Sequence, residues 1–208
     1  HRVLFALDRA SDEPVWTHEE SALLDRPDAD LIRRESIACP PLVVGDDLLV
    51  TAWSFDGAYD LRLICYDRHT GATRWRRPIV QGQQELNLFG RPVKELASSS
   101  LAELDGVVYL STGLGVAAAV DRTTGEVRWI SAYPRTPIPR SVQWYETTDR
   151  DLHFVPMPVA ATRGAVVMAP NDSPYLLAFE PGTGRILWSH EPRTPASRDR
   201  NWFAGVAD

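Results

Sequence analysis

Ala119-Val120-Asp121-Arg122-Thr123-Thr124-Gly125-Glu126-Val127-Arg128-Trp129 is the stretch whose reading decides the fold. A carboxylate closing a strand accepts hydrogen bonds from the backbone N–H groups of the turn that follows. Glycine supplies the positive φ that returns the chain as a hairpin. The second strand then presents a tryptophan eight positions after the acid. The same offset joins Asp8 to Trp16, Asp67 to Trp75 and Glu180 to Trp188. Thr70-Gly71 and Thr183-Gly184 repeat Thr124-Gly125, whereas the first copy carries Ser11-Asp12 at that place and is degenerate. The tryptophans fall 59, 54 and 59 residues apart, a period that marks a repeat architecture.

Working outward, an alternating apolar strand leads into each acid, as in Leu61-Arg62-Leu63-Ile64-Cys65-Tyr66. A further hairpin precedes it in three units: Pro41–Val44 with Leu48–Ala52, Leu101–Leu104 with Val107–Leu110, and Val159–Thr162 with Ala165–Met168. Four short strands joined by tight turns are the composition of a propeller blade. A large flat side chain at one place in every unit suits packing between successive units. The reading is therefore all-β: a partial β-propeller of four-stranded antiparallel blades, about three and a half of them, over residues 1–208 as one domain. The blade pieces are expected at 3–18, 37–79, 97–132 and 156–190, and the inserts at 19–36, 80–96, 133–155 and 191–201. Both ends read as cuts through a longer chain.

The pattern Ala-x-Asp-x-x-Thr-Gly-x-x-x-Trp resembles the tryptophan-docking motif of PQQ-like propeller repeats. These occur in quinoprotein alcohol dehydrogenases and in outer-membrane assembly lipoproteins of the BamB type. The resemblance covers about three-quarters of the chain. Departures are Cys65 for alanine, Glu180 for aspartate and the missing Thr-Gly near Ser11. It implies Asp8, Asp67, Asp121, Glu180, Gly71, Gly125, Gly184 and the four tryptophans as structural repeat residues. It also implies a periplasmic or cell-envelope location, and the remaining blades of a parent chain as neighbours.

Two functions follow. A binding or scaffolding propeller without catalysis or cofactor would meet a protein or glycan partner. A quinoprotein dehydrogenase arm would bind PQQ with calcium. In the family that chemistry uses vicinal cysteines over the quinone and a calcium ligand set. This sequence has neither an adjacent cysteine pair nor an evident Asn/Glu/Asp cluster. No nucleophile elbow supports a hydrolase.

The repeats exceed the family length in one place, after the tryptophan strand and before the next unit. These inserts belong on one face around the central channel, where loops on a rigid scaffold carry function. Their candidate ligand residues are Arg33, Arg34, Glu85, Asn87, Arg91, Trp144, Tyr145 and His153, an arginine and aromatic set suited to peptide, glycan or anion recognition. The competing reading has these loops packing on one another.

Other signals carry less. Gly113-Leu114-Gly115-Val116-Ala117-Ala118 fits a dinucleotide fingerprint but sits in a hairpin without the helix that motif needs. Asn171-Asp172-Ser173 is a formal glycosylation sequon followed by Pro174. His18, His69 and His190 read as solvated surface residues. Cys39 and Cys65, expected on the first and third strands of one blade, read as free thiols with Cys65 buried. The net charge of −6 opposes nucleic-acid binding, and no apolar run is long enough to span a membrane.

Overall fold

The structure is a computed structural model that describes residues 3–19, 22–83, 96–98, 100–136 and 157–191. It is a partial β-propeller. The first unit is the hairpin β1 (Phe5–Leu7) and β2 (Pro14–Thr17). A short helix α1 (Ala29–Arg34) follows. The second unit comprises β3 (Ser36–Ile37), β4 (Leu42–Val44), β5 (Asp47–Phe55), β6 (Tyr59–Asp67) and β7 (Thr73–Gly82). The third holds β8 (Ala102–Leu104), β9 (Val107–Ser111), β10 (Val116–Asp121) and β11 (Val127–Ala132), and the fourth β12 (Ala160–Ala161), β13 (Val166–Met168), β14 (Leu176–Phe179) and β15 (Ile186–His190). Each unit is an antiparallel sheet whose strands neighbour one another in chain order; β3 and β4 share β5 as partner. The Pro40-Pro41 pair lacks the N–H groups a ladder needs, which explains the break between β3 and β4. Cys39 lies in that break rather than on a strand, and its Sγ accepts the Thr51 N–H at 3.2 Å. Both cysteines are free and buried.

The four hairpins are copies at atomic level. Asp8, Asp67, Asp121 and Glu180 each accept, through the backbone C=O, the N–H of the residue four later, at 2.8–2.9 Å. The Oδ1 atoms of Asp8, Asp67 and Asp121 each take two further turn N–H groups at 2.8–3.0 Å. Glu180, one methylene longer, takes the Thr183 hydroxyl at 2.6 Å instead. A β-bulge recurs just before each acid, between Ala6/Leu7, Cys65/Tyr66, Ala119/Val120 and Ala178/Phe179. It leaves Val15, Arg74, Arg128 and Leu187 as the extra residue of the second strand, and a bulge increases local twist. Arg74 and Arg128 turn back to the Oδ2 of Asp67 and Asp121, at 2.6 and 2.7 Å.

Period-two alternation then assigns two faces to each sheet. The residues one and three before the acid face the preceding unit, and the tryptophan faces the next. Tyr66 and Ile64 thus meet the first unit, Val120 and Ala118 the second, and Phe179 and Leu177 the third, each in a buried apolar cluster at a seam. Trp16, Trp75 and Trp129 cross the same seams. Their rings lie over Gly71, Gly125 and Gly184 of the next unit, where an added Cβ would come within 2.7, 2.8 and 2.5 Å of the indole. Each indole N–H donates to the carbonyl three residues before that glycine: Arg68 at 2.8 Å, Arg122 at 3.0 Å and Pro181 at 2.7 Å. Trp188 meets no such turn among the described residues and is 45% exposed.

Candidate functional site

The first insert is pinned across the second unit by charge. Glu35, buried at the end of α1, pairs with Arg62 at 3.4 Å and with Arg76, and Asp60 pairs with Arg62. Asp28 receives both Arg26 guanidinium contacts at 3.0 and 3.1 Å and the Thr73 hydroxyl. Partial burial alone would raise the Asp28 carboxyl, but these hydrogen bonds and the Arg26 and Arg76 charges bring it down to about 2. α1 has Asp30 in its first turn and Arg33 and Arg34 in its last, the polarity a helix dipole favours.

Fixed this way, α1 and the tip of the β5–β6 hairpin enclose a groove of about 620 Å³ lined by Leu31, Arg33, Arg34, Phe55, Asp56 and Gln81. Arg33 bonds Asp30 at 3.1 Å, and Arg34 is exposed with no ion pair to a described residue. Of the sequence-expected ligand residues, Arg33 and Arg34 line this groove together. Glu85, Asn87, Arg91, Trp144, Tyr145 and His153 lie outside the described residues.

A second polar assembly joins the later units. Asp172, on the turn between β13 and β14, is only 2% exposed. Its Oδ1 accepts the Tyr133 hydroxyl at 2.7 Å, and Arg135 Nε approaches Oδ2 at 3.4 Å. Burial pushes the Asp172 carboxyl up, with Tyr133 and Arg135 opposing, and burial beside that carboxylate pushes the Tyr133 phenol well up. Arg135 also donates to the Gln83 carbonyl at 3.3 Å and lies against Gly115, so one side chain touches the second, third and fourth units. Thr136 N–H donates to the Asp172 carbonyl at 2.8 Å, and the Ser173 hydroxyl to the Pro134 carbonyl at 2.6 Å. The start of the third insert is thereby latched onto the fourth unit.

Several expectations need correction. His18 is buried, 6% exposed, between Trp16 and Tyr66. Its Nε2 lies 2.9 Å from the Gly71 carbonyl, to which Arg26 also donates at 3.0 Å. Arg77 stands equally two residues after its tryptophan and donates to the Gly125 carbonyl at 2.5 Å. That shared offset is the signal by which sequence reasoning could have found His18. His69 and His190 are exposed as expected. Asn171 is buried, with Nδ2 donating to the Ala97 carbonyl at 2.9 Å, and in this conformation is closed to glycosylation. Gly113 and Gly115 sit in the β9–β10 turn with φ of 68° and 83°, not before a helix.

This architecture places the chain in the class of PQQ-like β-propeller proteins. The family model described as outer membrane protein assembly factor BamB matches residues 1–206, and the chain belongs to that family. Among solved structures it is similar to BamB from Moraxella catarrhalis, at 20% identity and a TM-score of 0.57 over 93% of this chain and 47% of that one. A quinohemoprotein alcohol dehydrogenase from Pseudomonas putida aligns at 16% identity and a TM-score of 0.56, over 91% of this chain and 32% of that one. The corresponding enzyme from Comamonas testosteroni gives 14%, 0.55, 91% and 32%. The chain thus spans about half the length of the BamB structure or less of the others. No curated protein matches the chain. No helix of the described residues is long and apolar enough to cross a membrane.

Proposed function

We propose that this chain is part of a non-catalytic binding or scaffolding module of the cell envelope whose partner is a protein seated on the insert-bearing face. The match to the assembly-factor family along residues 1–206 carries this reading. The groove supports it: Leu31 and Phe55 offer an apolar floor beside arginines, the mixture that anchors protein interfaces. Charge reversal at Arg33 and Arg34 tests the site. In photo-crosslinking from a cell-envelope extract, the dominant protein adduct of the wild type should be lost in R33E/R34E and kept in R163E, whose arginine is exposed on the fourth unit and is not part of the groove lining. Equal adducts in all three would remove the groove from the interface.

The second reading, a segment of a PQQ- and calcium-dependent dehydrogenase, is favoured by fold likeness to the two alcohol dehydrogenases. Two observations weigh against it. The two cysteines occupy separate positions in the second unit's core, and among the described residues no group of three or more His, Cys, Asp or Glu is placed to hold a metal ion. Titration with PQQ and calcium, read by quinone absorbance and tryptophan fluorescence, separates the readings. Stoichiometric binding would overturn the scaffold proposal; absence of binding would leave it standing.

A further inference from the structure

The sequence holds two Asp-Gly steps, Asp56-Gly57 and Asp105-Gly106. A glycine, having no Cβ, leaves its backbone nitrogen open to the carboxyl of the residue before it. The fold treats the two steps oppositely. At Asp105-Gly106 both reacting groups are engaged. The Gly106 N–H donates to Glu103 Oε1 at 2.7 Å, a charge-assisted bond, and Asp105 Oδ2 accepts from Arg163 Nε at 3.3 Å.

Asp56-Gly57 lies at the tip of the β5–β6 hairpin, with both residues exposed. The loop is held by two other groups: the Asp56 N–H donates to the Ala58 carbonyl at 3.2 Å, and the Gly57 carbonyl accepts from Gln83 Nε2 at 2.7 Å. Among the described residues nothing accepts the Gly57 N–H, and nothing donates to or pairs with the Asp56 carboxylate. Gly57 has φ 72°, and no atom lies within 4 Å of the place a Cβ would take. Nucleophile and electrophile are thus adjacent, exposed and unengaged.

We propose that Asp56 is a site of spontaneous backbone isomerisation, from which the fold shields Asp105. The Gly57 nitrogen loses its proton and attacks Cγ of the protonated Asp56 carboxyl. The new C–N bond closes a succinimide ring, the C–OH bond breaks, and the hydroxyl leaves with that proton as water. Water then opens the ring. Cleavage between the Asp56 backbone carbonyl carbon and the Gly57 nitrogen gives isoaspartate, with the chain running through Cβ and Cγ; cleavage at Cγ restores aspartate. One water leaves and one enters, so the step needs no other reactant. Isoaspartate adds a methylene to the hairpin tip and shortens the carboxylate arm. Asp56 lines the groove, so that wall changes as the protein ages. The chemistry is independent of what the groove binds.

The experiment is ageing of the 208-residue chain at physiological temperature in heavy-oxygen water, followed by peptide mass spectrometry. Each passage through the ring places a heavy oxygen on the residue. In the folded wild type Asp56 should gain label and isoaspartate, and Asp105 should stay unlabelled. In guanidinium chloride, which releases both steps, the two should label alike. Asp56→Glu, which would need a larger ring, should gain no label at that position. Gly57→Ala should slow labelling of Asp56 several-fold, because a Cβ restricts the attacking nitrogen's backbone. Circular dichroism confirms the fold of both variants. A folded chain without label at Asp56 would overturn the site. One that labels Asp105 as fast as Asp56 would overturn the shielding.

Discussion

Gly125 meets two requirements at once: a backbone of φ 69° and a surface flat enough for the Trp75 ring. The first alone disfavours any L-residue; the second forbids even a methyl group. Gly106, with φ 81° and nothing near its absent side chain, carries only the first. Gly106→Ala should therefore cost about 1 kcal/mol in urea unfolding, and Gly125→Ala at least about 2 kcal/mol more, since the seam must part. Equal costs would show that the indole contact contributes little. His18 sets a pH dependence at the first seam. Burial lowers its pKa; the Gly71 hydrogen bond and Asp28 oppose, and the Arg26 and Arg76 charges add to the lowering. The folded ring thus binds fewer protons than the unfolded one, and stability should fall as pH drops through about 6.5. Comparing wild type with His18→Gln at pH 7.5 and pH 5.5 isolates this slope, which the variant should lose. Tyr66, which packs edge-on against His18, is raised by burial to about 12 and stays outside that window.

At the scale of elements, the insert carrying α1 is held by ion pairs rather than by its own helix propensity, since a six-residue helix is far below the length that is stable alone. Asp28 is the test. Its folded carboxyl sits at about 2, so its contribution is complete above the unfolded value near 4 and is lost as pH falls towards 2. Allowing for partial exposure, Asp28→Asn should cost about 1–2 kcal/mol at pH 7 and nearly nothing at pH 2. Urea titrations of both proteins at the two pH values give the answer. The hairpin carrying each acid and tryptophan was legible in the sequence because its bonds close within five residues of the acid. The insert network was not: Glu35 and Arg76 stand 41 residues apart, and only the tertiary fold brings them together.

For the whole molecule, stability is a sum over seams, as expected where each unit touches only its neighbours. Trp129 is buried between the third and fourth units, while Trp188 ends the described series half-exposed. Trp129→Ala should cost about 3–5 kcal/mol, and Trp188→Ala less than about 1 kcal/mol. Thermal unfolding of the two variants against the wild type checks the contrast; similar losses would mean that Trp188 is already covered.

The sequence by itself determined the repeat, its turn chemistry and the partial propeller, because acid, glycine and tryptophan act over eleven residues and through period-two alternation. Arg33 and Arg34 were legible as an exposed basic pair, but not the groove they line. The tertiary structure alone decided that His18 is buried, that Asp172 is held by Tyr133 from 39 residues away, and that Arg135 reaches three units. These depend on which face of one sheet meets which turn of the next. That juxtaposition is set by desolvation at the seams, and no local spacing encodes it.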